Sequence, residues 1–216
     1  HSAFALIDAR SGDVLALAGR SKNGNERQLW SSPAVSWPGN GYIGSTVKPF
    51  VMIEHLDALR RGRPARPESE MEPCERNYQF VGERGIRKRL RCDSVHGHAG
   101  LEPEIAIAKS CNVFFFQSVE GLGRDGLERA LRRFGLDRRQ PGTAQPNVTG
   151  LAGLATPRWI PRGWVLPMQG IGYGIESSLV HFARAYAAVA TGALPTVRVV
   201  RGAGRAPPQV LAVHPD

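Results

Sequence analysis

A serine and a lysine three residues apart are the side chains of this sequence best suited to covalent chemistry. Ser45 and Lys48 lie in the segment YIGSTVKPF at residues 42–50. Residues at i and i+3 are neighbours on one face of a helix, so a neutral Lys48 amine would reach the Ser45 hydroxyl and take its proton. A helix N-terminus at the serine would favour the negative charge that develops there. The alternative interpretation is a helix-capping serine beside a solvated lysine, and S-x-x-K alone does not decide between them.

The residues after Ser45 predict the helix that would carry this pair. Gly44 permits a sharp entry, and Pro49 falls where a helical N–H has no partner in any case. Apolar residues then recur at helical spacing with charged residues between them: Phe50, Ile53, Leu56 and Leu59. We therefore expect a core helix from Thr46 to about Arg61, with Gly62 and Pro64 after its end.

Composition and charge limit the function classes. The 216 residues are 42% hydrophobic, which is enough for one large domain or two small ones. No apolar run approaches the roughly 18 residues that span a bilayer. The chain begins at His1 without an initiator Met, so we expect any signal or anchor to lie upstream of it.

The net charge of +9 comes from 28 basic residues, of which 4 are lysines and 24 arginines, and they are scattered without interleaved aromatics. This distribution does not predict a nucleic-acid surface.

Two of the three cysteines flank a predicted hairpin. Cys74 and Cys92 lie at mirrored distances from a turn at residues 81–85, so a cross-strand disulfide, and with it an oxidising compartment, is one interpretation. The alternative interpretation places both cysteines, together with His96 and His98, in a zinc site. Because the C-x17-C spacing lacks the paired knuckle of structural zinc sites, we predict no metal. Cys111 is predicted to be a small buried side chain.

The other elements follow from periodicity and turn residues. A polar interruption, Ser110-Cys111-Asn112, separates two apolar helical pieces, and such a break is a good place for side chains to enter a cleft. The predicted elements are a β-hairpin of residues 3–8 and 13–18, an irregular segment at 19–41, helices at 103–109, 125–134 and 179–191, a loop-rich stretch at 139–163 and a glycine-rich turn at 168–174. Gly170, Gly172 and Gly174 form G-x-G-x-G, but without a preceding strand they are weak support for a phosphate site.

With S-x-x-K at Ser45 and Lys48, and S-x-N at Ser110 and Asn112, the sequence resembles the transpeptidase domain of penicillin-binding proteins. The surrounding residues extend the resemblance over nearly the whole chain. The segments that match are ALIDARSGDVLAL (5–17), GSTVKPF (44–50), His96-Gly97, AIAKSCNVFF (106–115), QGIGYG (169–174) and ARAYAAVATG (183–192).

The resemblance implies an α+β fold of the serine transpeptidase and β-lactamase type, a helical subdomain packed on an antiparallel sheet, in a single domain over 1–216. It implies that Lys48 is the general base for Ser45, which attacks a D-alanyl-D-alanine stem peptide and is acylated by β-lactams. Ser110 would relay a proton and Asn112 would hold the substrate amide. It also implies peptidoglycan cross-linking without a cofactor, at the periplasmic face of a bacterial inner membrane, beside other cell-wall synthesis proteins, with an anchor outside this chain.

One departure from the family pattern concerns the third motif. K-[ST]-G should follow the helix at 179–191, but all four lysines lie at or before Lys109, and Arg10-Ser11-Gly12 lies in the first hairpin's turn. We therefore expect the C-terminal strands to be missing from this chain, which would lack one oxyanion donor without them. Two other interpretations stay open: a non-catalytic interaction module that keeps the fold, and a β-lactamase or β-lactam sensor, although no carboxylate is evident to activate a deacylating water.

Overall fold

The computed structural model describes residues 2–20, 43–82, 85, 87–98, 102–136, 148–149, 158–159, 165–198 and 208–211. Helices and strands both occur among them, which agrees with the predicted α+β class. Most of the irregular segment predicted at 19–41, and most of the loop-rich stretch predicted at 139–163, lie outside the described residues. Within the described part of the chain, no helix is both long and apolar enough to cross a membrane.

Groups of short strands and of helices follow one another along the chain. In order they are β1 (Ser2–Ile7), β2 (Val14–Arg20), a 3-10 helix (Gly44–Val47), α1 (Lys48–Arg60), a 3-10 helix (Glu68–Glu70), β3 (Asn77–Val81), β4 (Arg87–Arg91), α2 (Pro103–Ala108), α3 (Asn112–Arg133), β5 (Val148–Thr149), β6 (Arg158–Trp159), α4 (Leu166–Gln169), β7 (Ile175–Glu176), α5 (Leu179–Thr191), β8 (Ala193–Leu194), β9 (Val197–Arg198) and β10 (Gln209–Val210). These bounds confirm both predicted hairpins and the predicted helices.

The described residues form two compact units. The first is drawn from residues 1–42, 132–159 and 175–216, and the second from residues 43–131 and 160–174. The described strands pair two by two: β1 with β2, β3 with β4, β6 with β7 and β8 with β10 are antiparallel, and β5 with β9 is parallel. A two-stranded ladder is only marginally stable by itself, and α5 packs on β1 and on β8.

The first unit packs α5 against the β1–β2 hairpin. The buried positions of α5 include Phe182, Ala185 and Ala188, which share a face because they recur at helical spacing, and Val180 near the start of the helix. Gly192 ends α5 in the left-handed conformation (φ 72°), as the sequence predicted.

The second unit is organised around α1 and the first half of α3. Three consecutive phenylalanines of α3, Phe114 to Phe116, are fully buried, as is Phe50 of α1. Burial of this aromatic surface stabilises the unit by about 2 kcal/mol or more for each ring. Gly123 has φ 67° and interrupts α3. The break predicted at Ser110-Cys111-Asn112 is present between the end of α2 at Ala108 and the start of α3 at Asn112.

The buried face of α1 differs from the one predicted. Ile53, Leu56 and Leu59 are only half-buried. The carboxylates of Glu54 and Asp57 are almost fully buried, with side chains 0% and 2% exposed. Charged groups are stable there because arginines from other segments neutralise them, a compensation that hydrophobic periodicity does not reveal.

Arg63 is the arginine that contacts both carboxylates. Its Nη1 lies 3.1 Å from Glu54 Oε1, and its Nη2 lies 2.7 Å from Asp57 Oδ2. Of these two carboxylates, Arg61 contacts Asp57, at 2.9 Å, and 43% of its side chain is exposed. We expect Arg63→Met to lower the free energy of unfolding by about 2–3 kcal/mol, because it leaves buried charge behind. Arg61→Met, the matched control, should lower the free energy of unfolding by less than about 1 kcal/mol. Urea titration of both variants measures these losses. Equal losses of unfolding free energy in the two variants would contradict the role of Arg63 in neutralising both buried carboxylates.

Candidate active site

Ser45 lies on a single turn of 3-10 helix that leads directly into α1. The turn spans Gly44–Val47, and the Lys48 backbone N–H closes it by donating to the Ser45 carbonyl. The Ser45 side chain is exposed, whereas Val47 is buried and anchors the turn. Gly44 adopts φ 59°, a conformation that favours glycine, and this permits the sharp entry expected from the sequence. The nucleophile candidate is therefore accessible on a fixed backbone.

Lys48 is the first residue of α1 and is only 1% exposed. Its Nζ donates three hydrogen bonds: to the Ser110 carbonyl oxygen at 2.7 Å, to Ser110 Oγ at 2.9 Å and to Asn112 Oδ1 at 2.6 Å. The ring of Phe115 lies below the amine, with 5.3 Å from Nζ to the ring centroid. Lys48 is thus a buried amine held by the S-x-N motif, and not a solvated surface lysine.

The S-x-N motif occupies the junction between α2 and α3. Ser110 is exposed and has φ 52°, which is rare for a residue with a side chain and is concentrated at functional sites. Asn112 is the buried first residue of α3, and its Nδ2 donates to the Arg91 carbonyl oxygen at 3.2 Å. Because Arg91 fixes the amide, Asn112 turns its Oδ1 toward Lys48. The β3–β4 hairpin therefore orients the lysine's partner, a role the sequence did not indicate.

Lys48, Ser110 and Asn112 meet as the S-x-x-K and S-x-N motifs predict. Among the described residues, Lys48 Nζ has no hydrogen bond to Ser45 Oγ, and its donors go to Ser110 and Asn112 instead. Catalytic hydrogen bonds are often long before substrate binds, so this arrangement is compatible with a base that engages Ser45 only during reaction.

Burial lowers the pKa of Lys48 to about 8, against the opposing influence of Cys92, Cys111 and Asp93 nearby. Moving an ammonium out of water disfavours its charged form, whereas negative charge on the thiols or the carboxylate would favour it. A lysine with this pKa has a useful neutral fraction near neutral pH. The protonated amine can still return a proton, so the same group can act first as base and then as acid.

The glycine-rich turn after α4 packs on the nucleophile turn. A Cβ added at Gly172 would lie 2.2 Å from the Gly44 carbonyl oxygen and 2.5 Å from its nitrogen, and φ is +96°. Gly170 is similarly close to Val119, with 2.4 Å from a built Cβ to Val119 Cγ2. These glycines therefore allow close backbone packing. The weak phosphate-binding interpretation of G-x-G-x-G is not needed to explain them.

Replacing Gly172 with alanine should impair Ser45 more than it impairs the fold. The new methyl group would push the Gly44 backbone and shift the turn that carries the nucleophile. Displacements of about 1 Å at a reactive group cost on the order of 100-fold in rate. We expect a loss of this size in the rate at which an acylating probe labels Ser45, with folding checked by circular dichroism. Gly62→Ala is the control, because Gly62 also has positive φ but a Cβ there meets no atom within 4 Å. Equal loss in both variants would contradict the packing role.

Cys74, Cys92, His98 and Cys111 form a cluster next to Ser110 and Asn112. Cys111 is the middle residue of the S-x-N motif. The Sγ atoms of the cluster and one ring nitrogen of His98 lie within 4.8 Å of one another, so these four residues could hold a metal ion. All three cysteines are free thiols, and the structure does not contain the disulfide expected between Cys74 and Cys92. The predicted burial of Cys111 is confirmed.

The thiols of the cluster differ in acidity. Burial raises the pKa of Cys111 to about 12 and also raises the pKa of Cys74. For Cys92, burial acts in the same direction, but hydrogen bonds from the N–H groups of Ser94, Asn112 and Val113 outweigh it and lower the pKa. Donors at a helix N-terminus stabilise a thiolate in this way.

Comparison with known families and structures supports the resemblance to penicillin-binding protein transpeptidase domains that the sequence motifs indicated. The family model described as penicillin binding protein transpeptidase domain matches residues 2–212. A search of curated proteins finds no match. Among solved structures, the transpeptidase domain of Burkholderia pseudomallei penicillin-binding protein 3 is 24% identical, with a TM-score of 0.67 over 96% of this chain and 56% of that one.

Two further structures have the same fold. Penicillin-binding protein 3 of Mycobacterium tuberculosis, in complex with aztreonam, is 22% identical with a TM-score of 0.68, and the match covers 98% of this chain and 48% of that one. Penicillin-binding protein 2 of Helicobacter pylori, in complex with MreC, is 18% identical with a TM-score of 0.70, over 96% and 41% of the two chains. This chain spans about half the length of these structures. The similarity confirms the predicted fold.

Proposed function

Because this chain belongs to the penicillin-binding protein transpeptidase domain family, we propose that it contributes the acylation site of a serine D,D-transpeptidase that cross-links peptidoglycan. The observation that carries this proposal is the buried Lys48 amine, bound to both Ser110 and Asn112. A lysine in that position has a lowered pKa and partners of the kind that proton transfer requires.

Acylation would begin when Ser45 Oγ attacks the carbonyl carbon of the penultimate D-alanine. The Ser45 proton passes to the neutral Lys48 amine, and the developing oxyanion needs backbone N–H donors. Ser110 Oγ, 2.9 Å from Lys48 Nζ, relays a proton to the nitrogen of the terminal D-alanine as the C–N bond breaks. The products are free D-alanine and an ester at Ser45.

Deacylation would reverse these roles. The amine of a neighbouring stem peptide attacks the Ser45 ester, its proton is taken up through Ser110 and Lys48, and Ser45 leaves with a proton returned to its oxygen. A new peptide bond joins the two stems. A β-lactam would acylate Ser45 by the same first step, since its amide bond opens on attack, but the ring fragment stays attached and blocks the acceptor.

The cellular setting follows from the same proposal. Peptidoglycan lies outside the cytoplasm, so we place the domain on the periplasmic face of the inner membrane. Stem peptides, β-lactams and other cell-wall synthesis proteins are the partners we propose, and no cofactor is required. We also propose that residues 1–216 belong to one transpeptidase domain.

The test is a transpeptidation assay on the full-length protein. A stem pentapeptide ending in D-Ala-D-Ala is incubated with an acceptor amine, and D-alanine release and the cross-linked product are quantified by liquid chromatography and mass spectrometry. We expect product with wild type, none with Ser45→Ala, and none with a peptide ending in L-Ala-L-Ala. Binding of β-lactam without any peptide turnover would favour a sensor, and neither reaction would favour the interaction module.

The pH dependence of acylation follows from the Lys48 pKa of about 8. The neutral amine is the base, so its fraction rises from about one tenth at pH 7 to about nine tenths at pH 9. We expect the second-order rate constant for acylation by a penicillin to rise about tenfold over this range. Cys92, Cys111 and Asp93 face the amine, and negative charge on them would move the midpoint upward. A rate that falls between pH 7 and 9 would contradict Lys48 as the base.

A further inference from the structure

Two sulfur–nitrogen distances in the cluster of Cys74, Cys92, His98 and Cys111 match tetrahedral metal coordination, and all four ligand atoms lie within 4.8 Å of one another. Cys74 Sγ lies 3.5 Å from His98 Nδ1, and Cys92 Sγ lies 3.7 Å from the same nitrogen. Tetrahedral zinc, with Zn–S near 2.3 Å and Zn–N near 2.0–2.1 Å, would separate a sulfur from a nitrogen by about 3.6 Å. The two observed separations are within about 0.1 Å of that value, so Cys74, Cys92 and His98 are spaced as ligands of one ion, and Cys111 Sγ lies within 4.8 Å of all three ligand atoms.

The chemistry of the donors selects the ion. Three thiols and one imidazole are a soft, tetrahedral donor set that suits Zn²⁺, and hard cations such as Mg²⁺ or Ca²⁺ would be excluded. The three cysteines are 3%, 3% and 1% exposed. Three thiols that converge on one imidazole nitrogen are not explained by packing of apolar surface, nor by a single disulfide, which would use only two of them.

The backbone around the cluster is built for close approach of its ligands. Cys74 precedes β3 and Cys92 follows β4, and the Cys92 N–H donates to the Arg76 carbonyl oxygen at 2.7 Å. The His98 N–H donates to the Cys74 carbonyl oxygen at 3.0 Å. A Cβ at Gly97 would lie 1.8 Å from that same oxygen, so only glycine permits this contact. His98 is thereby held beside Cys74 by the main chain.

We propose that Cys74, Cys92, His98 and Cys111 bind one structural Zn²⁺ ion. Each thiol that binds does so as a thiolate and releases its proton to solvent, and no oxidation or reduction takes place. All four positions of the ion are filled by protein, so it takes no part in substrate chemistry. This site replaces the sequence-based expectation that the chain binds no metal.

The location of Cys111 gives the ion a consequence for the neighbouring site. Cys111 stands between Ser110 and Asn112, both of which bind Lys48. The ion would tie this junction to both ends of the β3–β4 hairpin and to the loop that carries His98. It would stabilise the left-handed backbone at Ser110, a conformation that is otherwise unfavourable for a residue with a side chain. The inference does not rest on the proposed enzymatic function, because metal content is measured without activity.

The test is the zinc content of the full-length protein, purified without a metal-binding tag, by elemental mass spectrometry and native mass spectrometry. We expect one zinc per chain in wild type and a marked loss in His98→Ala and in Cys111→Ser. His96→Ala is the matched control, because His96 is an exposed histidine two residues from His98 and outside the cluster. It should retain one zinc per chain.

Wild-type protein alone decides the question if the ligand variants fold poorly. Metal-free wild type titrated with Co²⁺ should show the visible absorption of a tetrahedral cobalt thiolate site, and one equivalent of Zn²⁺ should abolish it. The proposal is overturned if wild type holds far less than one zinc per chain and gives no such cobalt spectrum. It is also overturned if fresh protein has a mass lower by two hydrogens that maps to a Cys74–Cys92 disulfide, or if zinc is retained in both ligand variants.

Discussion

Replacing Lys48 with methionine is expected to lower the rate of acylation at Ser45 by about 1,000-fold or more. General base catalysis contributes about 100- to 10,000-fold, and Lys48 also orients Ser110 and Asn112, so its loss should fall in the upper part of that range. Methionine keeps the length and apolar stem of lysine in a site that is 1% exposed, above the Phe115 ring. The fold should therefore survive the change.

The measurement is the rate of labelling by a fluorescent penicillin, followed by rapid mixing and denaturing gel electrophoresis. Lys88→Met is the control, because Lys88 is an exposed lysine on β4 and should label at the wild-type rate. Thermal unfolding of both variants checks that they are folded. A folded Lys48→Met protein that labels within about tenfold of wild type would exclude Lys48 as the general base.

Replacing Ser110 with alanine is expected to lower the acylation rate by about 100-fold or more. Its hydroxyl is 2.9 Å from Lys48 Nζ and is the group positioned to pass a proton between the lysine and the leaving nitrogen. A proton relay is a form of general acid–base catalysis, and losses of about 100- to 10,000-fold are typical when it is removed. The effect should be on the rate of the chemical step more than on substrate affinity.

Two variants separate the hydroxyl from the strained backbone at Ser110. Ser110→Gly also removes the hydroxyl, but it suits φ 52°, so it should fold at least as well as wild type and still label slowly. Ser69→Ala is the control for an exposed serine outside the site, and it should label normally. Fast labelling in Ser110→Gly would contradict a role for the hydroxyl.

Local signals in the sequence predicted the elements of this fold well. Two apolar runs separated by a turn at residues 9–12 predicted the first hairpin, and the helix predicted at 179–191 ends at Gly192, which adopts positive φ. Pro103 correctly predicted the start of α2, since proline is tolerated at the first helical turn. Short-range steric rules act within a few residues and are therefore visible in sequence.

The burial of charged residues on α1 could not be predicted, because the arginines that neutralise them include one far along the chain. Glu54 is buried because Arg63 and Arg129 reach it, and Arg129 is 75 residues away. Helical periodicity places charged residues toward solvent, and here it favoured Ile53, Leu56 and Leu59 as the core face. The burial of a carboxylate depends on three-dimensional compensation, which no local pattern reports.

The candidate site was predicted in its residue types but only partly in its contacts. S-x-x-K and S-x-N identified Lys48, Ser110 and Asn112, and these do meet. The Arg91 carbonyl that orients Asn112 was not foreseen, and neither was the packing of Gly172 on Gly44. The spacing of Cys74 and Cys92 argued against a metal, because the third cysteine comes from the S-x-N motif itself and only the fold brings it to them.

The most direct test of the central claim, that Ser45 is an activated nucleophile, is intact-mass spectrometry of the full-length protein after incubation with a penicillin. The account predicts that wild type gains the mass of one opened β-lactam, that Ser45→Ala gains none, and that Thr46→Ala, altered at the neighbouring exposed hydroxyl, gains the same adduct as wild type. An unmodified wild-type protein, or an adduct that persists in Ser45→Ala, would contradict it.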